Sequence, residues 1–283
     1  MRLLYNNLFD LAGTILTASS QDSTHPPTLI KDSLRKRRWR TSGLTQEYII
    51  AQIPSGYTIN CFAITGHNLS DTATIEILSS ANGVTYTSLA TIAITPTESV
   101  GFGEDFFGFG GFGGVAASEV LPGVTQVAFF TATTSTANPY WKIILRDVNN
   151  GDGFVEVGRM FLGDYWEPPK QIVPGYSVEV VDETEITQLI SNQKINNEKD
   201  IYLRVNFRLP HLSPTHALGF FLPIIKTYQA TKKDSFLVLF PNKSLFLRDV
   251  TTIYGRFVSQ DIGVAQIGLH TFDTGVLAFE ESL

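Results

Sequence analysis

Residues 47–53 read EYIIAQI, and a turn at residues 54–56 (PSG) separates them from a second apolar run at residues 60–65. Such short runs of β-branched and aromatic residues, alternating with polar ones, are typical of half-buried β-strands. Similar runs recur between turn signals along the whole chain, whereas stretches with a helical period are scarce. The pattern predicts an all-β fold and argues against an array of alternating strands and helices.

Thirteen segments carry this strand pattern. In the first part of the chain they are residues 47–53, 60–65, 73–79, 88–94, 126–131, 140–146 and 154–162. In the second part they are residues 176–181, 201–207, 235–240, 254–259, 264–271 and 275–280. Gly56, Gly83, Gly151 and Gly153 stand in turn signals and are expected at positive φ. Residues 184–193 form the one stretch that is predicted as a short helix.

A domain boundary is predicted at residues 166–169 (WEPP), because two consecutive prolines break a strand. The length of 283 residues suits two domains with separate cores. We therefore expect an N-terminal β-sandwich over residues 1–167 and a second β domain over residues 168–283.

Composition excludes several classes of protein. The chain is 17% charged, against about 25% in typical soluble domains, so its surface suits packing against neighbours. A net charge of −6 and a pI of about 5.4 argue against nucleic-acid binding. No apolar run is long enough to span a membrane. Cys61 stands alone, which excludes a disulfide framework and a cysteine metal site, and we expect it to be a buried thiol.

The charges are distributed unevenly along the chain. Residues 31–40 contain six basic residues and one acid, and the following stretch up to Lys142 contains seven acids and no Lys or Arg. A basic strip and an acidic face on one domain would let neighbouring copies meet head to tail. Arg35, Arg37 and Arg38 are therefore candidate interface residues.

Residues 101–114 read GFGEDFFGFGGFGG and differ in kind from the rest of the chain. Five phenylalanines on a glycine-rich loop would expose a large apolar surface in a free monomer, which is unfavourable in water. The alternatives are a disordered low-complexity insertion, packing on its own domain, or contact with another subunit, which we favour. The candidate contact residues are Phe102, Phe106, Phe107, Phe109 and Phe112.

Enzyme signatures are missing. The chain has no G-x-S-x-G elbow, P-loop, H-E-x-x-H motif or dinucleotide-binding glycine motif. His67, Ser70 and Asp71 lie within five residues, but such a cluster is better explained as a turn after a strand than as a catalytic triad. Residues 147–153 (DVNNGDG) depart from the calcium-loop pattern and are predicted as a hairpin loop. No catalytic residue, cofactor or metal is predicted.

Several motifs together carry a resemblance to a known family. In order they are TILTASS (14–20), RWRTS (38–42), EYIIAQI (47–53), GHNLS (66–70) and YWKI (140–143). Their order resembles the successive strands of discoidin-like, galactose-binding-type jelly rolls, over about residues 10–167. GHNLS together with VGRMFLG (157–163) is similar to the variant found in tail-tip proteins of bacteriophages. FLVLFP (236–241), YGRF (254–257) and GVLAFEE (275–281) look like the β domain of distal or minor tail proteins.

This resemblance implies a structural component of a phage tail tip or baseplate. Such a protein assembles into a homo-oligomeric ring and anchors neighbouring tail proteins. It would be made in the bacterial cytoplasm and end in the virion, without enzymatic activity, membrane insertion or nucleic-acid binding. The segment at residues 101–114 is not a feature of that family.

A carbohydrate-binding module for attachment to host surface glycans is the alternative. Sugar binding needs aromatic side chains for stacking beside polar groups for the hydroxyls. Trp39 and Trp141 stand at strand positions and are expected in the core, whereas Tyr57 and Tyr86 lie in turns and are the candidates for binding. A glycosidase would need two facing carboxylates, and the sequence singles out no such pair.

Overall fold

The computed structural model describes the chain in two compact units. It describes residues 1–94 except 35, 55 and 71, and residues 127–282 except 171, 173–174, 189–193, 198, 229–230, 243–250 and 260–261. The sandwich unit consists of Asn6–Tyr165 and Val238–Thr252, and the seven-stranded unit consists of Met1–Tyr5, Trp166–Leu237 and Ile253–Leu283. Each unit is built from separate stretches of the chain, and the division at residues 167/168 stays a prediction.

The described residues are almost entirely strands and loops, which confirms the all-β class. The strands are β1 (Arg2–Leu4), β2 (Ile15–Ala18), β3 (Trp39–Arg40), β4 (Glu47–Gln52), β5 (Ile59–His67), β6 (Thr74–Ser80), β7 (Thr87–Ala93), β8 (Val127–Thr136), β9 (Tyr140–Arg146), β10 (Glu156–Gly163), β11 (Tyr165–Trp166), β12 (Ser177–Asp182), β13 (Glu185–Gln188), β14 (Lys194–Asn197), β15 (Ile201–Arg208), β16 (Ser235–Val238), β17 (Thr252–Phe257), β18 (Ala265–Gly268), β19 (Thr271–Asp273) and β20 (Val276–Glu281). The helical segments are two 3₁₀ turns, Leu8–Asp10 and Pro27–Lys31, and the π-helix Thr215–Phe221, which continues into α1 (Leu222–Lys226).

The sandwich unit packs two antiparallel sheets around one hydrophobic core. The five-stranded sheet has the order β2-β4-β9-β6-β7, and the four-stranded sheet has the order β3-β10-β5-β8. The core includes Ile49, Ala51, Trp141 and Ile143 from the first sheet and Phe62, Ile64, Met160 and Leu162 from the second. Trp39 and Trp141 are buried, as predicted, and their indole N–H groups donate to the carbonyls of Ser20 and Asn138.

Period-2 alternation decides which side chains of the five-stranded sheet face outward. On β4, Ile49 and Ala51 are buried in the core, so Tyr48 and Ile50 point away from it. On β9, Trp141 and Ile143 are buried, so Tyr140 and Lys142 point outward. The register pairs Ile50 with Lys142 across the two strands. The sheet pairing therefore brings the outward side chains of β4 and β9 together.

The seven-stranded unit is organised around the sheet β11-β1-β16-β17-β20-β15-β12. One face of this sheet carries buried Val205, Phe207, Phe257, Leu277 and Phe279. The rings of Phe257 and Phe279 meet edge to face with their centroids 5.1 Å apart. This apolar face forms the core of the unit, as hydrophobic alternation along the strands requires.

The helix predicted over residues 184–193 is wrong over residues 184–188, and its remainder, residues 189–193, lies outside the described residues. β13 and β14 form an antiparallel hairpin there, with Ile186 opposite Asn196. The β-branched pair Ile186-Thr187 favours an extended backbone over a helix. Residues 264–271 are also not one strand, because β18 and β19 pair with each other across a turn.

The helical segment at residues 215–226 is missing from the sequence prediction. Its buried residues Ala217, Phe221 and Ile224 recur at helical spacing, but Pro223 stands among them and obscures the pattern. It is far too short to span a bilayer, and the described part of the chain holds no membrane-spanning helix.

Two smaller predictions can be compared with the structure. Gly56, Gly83 and Gly153 have positive φ, whereas Gly151 does not, so the prediction is wrong for that glycine. Cys61 is a buried free thiol, as expected, and its Sγ donates to the carbonyl of Gly163 at 3.3 Å.

Candidate functional site

The outward face of the five-stranded sheet carries three tyrosines and one lysine, and two of the tyrosine rings lie near the lysine. The Nζ atom of Lys142 lies 4.0 Å from the ring centroid of Tyr48 and 5.8 Å from that of Tyr86. Tyr140 lies two residues before Lys142 on the same face of β9. All four side chains are half-buried. We call Tyr48, Tyr86, Tyr140 and Lys142 the tyrosine–lysine patch.

The loop that carries Tyr86 is closed by side-chain hydrogen bonds. The Ser80 hydroxyl accepts from the backbone N–H of Gly83 at 3.0 Å. The side-chain carbonyl of Asn82 accepts from the backbone N–H groups of Val84 and Thr85 at 2.9 and 3.1 Å. Asparagine and serine close turns in this way because their short side chains reach the backbone two or three residues on. Tyr86 is therefore held at a defined place beside the sheet.

Tyr140 is fixed from two sides. A Cβ atom added at Gly83 would lie 3.1 to 3.3 Å from ring atoms of Tyr140, so the glycine allows the turn to approach that ring closely. Before the strand, the side-chain amide of Asn138 donates to the Ser79 hydroxyl at 2.9 Å, and the carbonyl of Asn138 accepts from the Trp141 indole at 2.7 Å. The ring therefore stands on a rigid part of the sandwich.

The electrostatics of the patch involve the Tyr86 phenol, the Lys142 ammonium group and the nearby Glu76, which interacts with Lys142. Burial raises the pKa of Tyr86, and the neighbouring Tyr140 and Tyr48 raise it further. Glu76, on the adjacent strand, pairs with Arg146 at 2.7 Å, and this contact lowers the pKa of Glu76. No described acidic residue forms an ion pair with Lys142. The patch therefore combines three hydroxyl groups with one ammonium group.

Such a surface can bind a ring with one apolar face and a polar rim. Tyrosine offers an apolar ring body with a polar tip, and its electron-rich face attracts cations and polarised C–H groups. The lysine ammonium donates up to three hydrogen bonds. Within the described ranges, no group of three His, Cys, Asp or Glu residues is placed to hold a metal ion.

The structure brings one predicted binding residue into this patch and leaves another outside it. Tyr86 is a member of the patch. Tyr57 lies in the turn between β4 and β5 and is 37% exposed. Arg35 and the five phenylalanines Phe102, Phe106, Phe107, Phe109 and Phe112 lie outside the described residues.

The basic run is partly neutralised within the sandwich unit. Arg37 pairs with Asp32 at 2.8 Å. Arg38 pairs with Glu156 at 3.1 Å, and Arg40 pairs with the same carboxylate. The head-to-tail contact between a basic strip and an acidic face stays a prediction, and these internal ion pairs reduce the charge that is available for it.

The apparent triad is a turn in the described residues. The Nδ1 atom of His67 accepts from the backbone N–H of Leu69 at 3.2 Å. The backbone N–H and hydroxyl of Ser70 both donate to Asp147, not to His67. Asp147 also accepts from the Asn150 amide at 2.9 Å, which closes the predicted hairpin loop from inside. Asp71 lies outside the described residues.

Tyr48, Tyr140 and Lys142 are the members of the patch that sequence reasoning missed. Alternation along β9 indicates that Tyr140 and Lys142 share a face, because they stand two residues apart. Their meeting with Tyr48 depends on the pairing of β4 with β9, which joins distant parts of the chain. No local sequence pattern predicts the register between β4 and β9.

The fold and the patch define an all-β chain whose sandwich unit presents an aromatic surface with one cation. No protein-family model matches the chain, and no curated protein matches it. Among solved structures, the chain is similar to CpGH89CBM32-5 from Clostridium perfringens in complex with GalNAc-β-1,3-galactose, at 13% identity, over 56% of this chain and 100% of that one, with a TM-score of 0.38.

Two further similar structures are also carbohydrate-binding modules. The family 32 module of C. perfringens NanJ, in complex with galactose, is 16% identical over 59% of this chain and 100% of that one, with a TM-score of 0.38. The CBM32 of AlyQ, in complex with 4,5-unsaturated mannuronic acid, is 16% identical over 56% and 96%, with a TM-score of 0.36. At these values the similarity assigns no ligand to this chain.

Proposed function

We propose that this protein binds carbohydrate, without catalysis, through the tyrosine–lysine patch of its sandwich unit. The observation that carries the proposal is that Tyr48 and Tyr86 lie around Lys142, with Tyr140 beside Tyr86, at the outward face of a rigid sheet. A pyranose ring can pack its C–H face against a tyrosine ring, while its hydroxyls bond to the phenol and ammonium groups.

A binding role explains features that packing alone does not require. Aromatic side chains contribute most to stability when they are fully buried, yet all the patch tyrosines keep part of their surface exposed. The hydrogen-bonded turn before Tyr86 and the close approach of Gly83 to Tyr140 hold this exposed surface in one arrangement. Pre-ordering of this kind lowers the entropy lost when a ligand binds.

Binding of the full chain to a panel of bacterial surface glycans tests the proposal. Calorimetry on the best ligand then compares the native chain with Tyr86→Ala and Tyr140→Ala. Each substitution should lower the affinity about tenfold or more, since a stacked aromatic contributes on the order of 1 kcal/mol beyond its buried area. Tyr57→Ala, which removes an exposed tyrosine outside the patch, should leave the affinity unchanged.

Two outcomes would contradict this proposal. Absence of binding across the panel would remove the carbohydrate function. Loss of binding in Tyr57→Ala, with full binding in the two patch variants, would move the site to the turn between β4 and β5. Thermal unfolding of every variant separates lost contacts from lost folding.

A second candidate function is assembly into a homo-oligomeric ring as a structural component of a phage tail tip. It is favoured by an exposed apolar strip on the seven-stranded unit, formed by Val178, Val180 and Ile201, which are 49%, 72% and 56% exposed. Val178 lies opposite buried Val205 in the register of β12 and β15, so the strip continues the core face to an edge strand of the sheet. Exposed apolar edges of this kind associate with other chains.

Sedimentation of the full chain and imaging of any rings test the assembly role. Val180→Lys should dissociate the oligomer. Val276→Lys is the matched control, because Val276 is equally exposed at 72% but lies opposite Arg208, on the other face of the sheet. A monomeric native chain, or equal effects of the two substitutions, would contradict the proposal. Mass spectrometry of purified phage particles tests for the protein in the virion.

A further inference from the structure

We propose that the tyrosine–lysine patch selects acidic saccharides, with the carboxylate of a uronic acid bound at Lys142. This inference rests on the proposed carbohydrate binding and names the ligand class of the same site. It follows from the net charge of the patch, from the position of the lysine ammonium group where a ligand can reach it, and from the neighbouring tyrosine rings.

The patch carries one positive charge that its surroundings do not cancel. Glu76 pairs with Arg146 at 2.7 Å and also interacts electrostatically with Lys142, so these three groups together carry one net positive charge. The Lys142 ammonium group lies near the rings of Tyr48 and Tyr86. Aromatic rings attract the ammonium group without neutralising it. An anionic ligand would complete a charge pair here, whereas a cationic ligand would be repelled.

The ammonium group is also held where a ligand can reach it. Its neighbours across the sheet are Ile50 on β4 and Leu78 on β6, whose apolar side chains support the lysine stem. The ring of Tyr48 then fixes the ammonium at 4.0 Å from the ring centroid. Its N–H groups can donate to a carboxylate in a charge-assisted hydrogen bond, and the phenol groups can donate to the second oxygen.

The tyrosines favour a sugar acid over other anions. A polyol phosphate polymer carries negative charge but has no pyranose ring to pack against Tyr86 and Tyr140. A nucleic acid has stacking bases and many phosphates, but the chain has a net charge of −6 and the patch contributes a single cation. One carboxylate beside one pyranose face matches the one cation and the flanking rings.

The test compares matched ligands that differ in the carboxylate. Calorimetry measures the binding of the full chain to hexamers of galacturonate and of glucuronate, and to the same hexamers after reduction of their carboxyl groups. We expect at least one acidic hexamer to bind about tenfold more tightly than its reduced form, the usual gain from a hydrogen bond to a charged group. The preference should shrink as NaCl is added, because the patch is partly exposed.

Lys142→Gln should remove the preference, so that an acidic hexamer and its reduced form bind with equal affinity. Lys232→Gln removes one positive charge from an exposed position in the seven-stranded unit and should leave the preference intact. Equal binding of acidic and reduced hexamers would overturn this inference and keep the carbohydrate function. Absence of binding to both forms of both hexamers would overturn the two together. If a ribitol phosphate polymer bound more tightly than either acidic hexamer, the patch would recognise the anion and not the sugar acid, and this inference would be overturned.

Discussion

The ammonium group of Lys142 lies 4.0 Å from the centroid of the Tyr48 ring, although the two residues stand on different strands, β9 and β4. The strand register creates this contact by placing Lys142 opposite Ile50, the outward neighbour of Tyr48 along β4. A cation over an aromatic face at a partly exposed site contributes about 0.5 to 1 kcal/mol. The contact therefore orders the lysine without determining the fold.

Lys142→Gln should accordingly lower the free energy of unfolding by less than about 1 kcal/mol, because it removes the cation and keeps half of the aliphatic stem. Urea unfolding of the native chain and the variant, followed by tryptophan fluorescence, measures the difference. Tyr48→Phe keeps the ring and should cost no more than Lys142→Gln. A loss above about 3 kcal/mol for the lysine variant would show that it supports the sandwich and not a binding surface.

Gly83→Ala should destabilise the protein and weaken ligand binding together. Gly83 has a φ of +74°, and an added Cβ would approach the Tyr140 ring to between 3.1 and 3.3 Å. The left-handed conformation costs a side-chain-bearing residue about 1 to 2 kcal/mol, and the ring must also move. Chemical unfolding and calorimetry with the best glycan measure the two effects.

Alanine substitutions at two other glycines separate the backbone cost of a positive φ from the effect of moving the Tyr140 ring. Gly153 has a φ of +78° and open space around its Cβ position, so Gly153→Ala should show the backbone cost without the loss of binding. Gly151 also has open space and a φ outside the positive range, so Gly151→Ala should change stability by less than about 0.5 kcal/mol. Equal binding of ligand by all three variants would contradict the role assigned to Gly83.

The fold class follows from local sequence because alternation is a local property. Glu47–Gln52 and Tyr140–Arg146 alternate so regularly that their strands and buried faces can be predicted from the residues alone. The segment at residues 184–193 could not be predicted in this way, because the hairpin of β13 and β14 depends on pairing between its two arms. Pro223 interrupts the helical pattern of the sequence, so the helical segment that contains it was not predicted. Tertiary packing of Phe221 and Ile224 supports that segment in the structure.

The candidate site was less accessible to sequence reasoning than the fold. Tyr86 could be selected because turn residues beside a strand are visible in the sequence. Tyr48 stands in a strand of apolar and polar residues, where an aromatic side chain is equally well explained as core. Its outward direction and its contact with Lys142 arise from the pairing of β4 with β9, and this register is a tertiary property.

An ion pair between buried Arg159 and exposed Asp10 offers a test of the electrostatics of the sandwich unit. Arg159 is 3% exposed, and its guanidinium donates to the carbonyl of Ile30 at 2.7 Å and to the carboxylate of Asp10. Asp10→Ala would remove a carboxylate that pairs with this buried cation, at a cost of about 1 to 2 kcal/mol, because the acid is itself exposed. Urea unfolding measures this loss.

The matched control for Asp10→Ala is Arg37→Ala. Arg37 pairs with Asp32 at 2.8 Å, but its side chain is 61% exposed, so the substitution should cost less than about 0.5 kcal/mol. High salt should leave the difference between the two variants nearly unchanged, because water screens the Arg159 pair poorly. Equal costs would mean that Arg159 is more hydrated than its burial indicates.

His67 gives the sandwich unit a predicted dependence on pH. Its Nδ1 atom accepts from the backbone N–H of Leu69, and its Nε2 atom is buried. Burial lowers the pKa of His67 to about 4, with the nearby cation of Arg38 acting in the same direction and Asp147 acting against it. The folded state therefore holds the neutral imidazole, whereas an unfolded histidine takes up a proton near pH 6.5.

Since the unfolded state binds the additional proton, stability should fall as the pH is lowered from 7.5 to 5. The expected loss from this one group is about 2 kcal/mol over that interval, the free energy of protonating a histidine that is charged only in the unfolded state. Urea titrations at a series of pH values measure the slope. His67→Gln keeps a neutral polar side chain and should remove about 2 kcal/mol of the dependence. The same slope in both proteins would mean that His67 is protonated in the folded state or plays no part in the acid sensitivity.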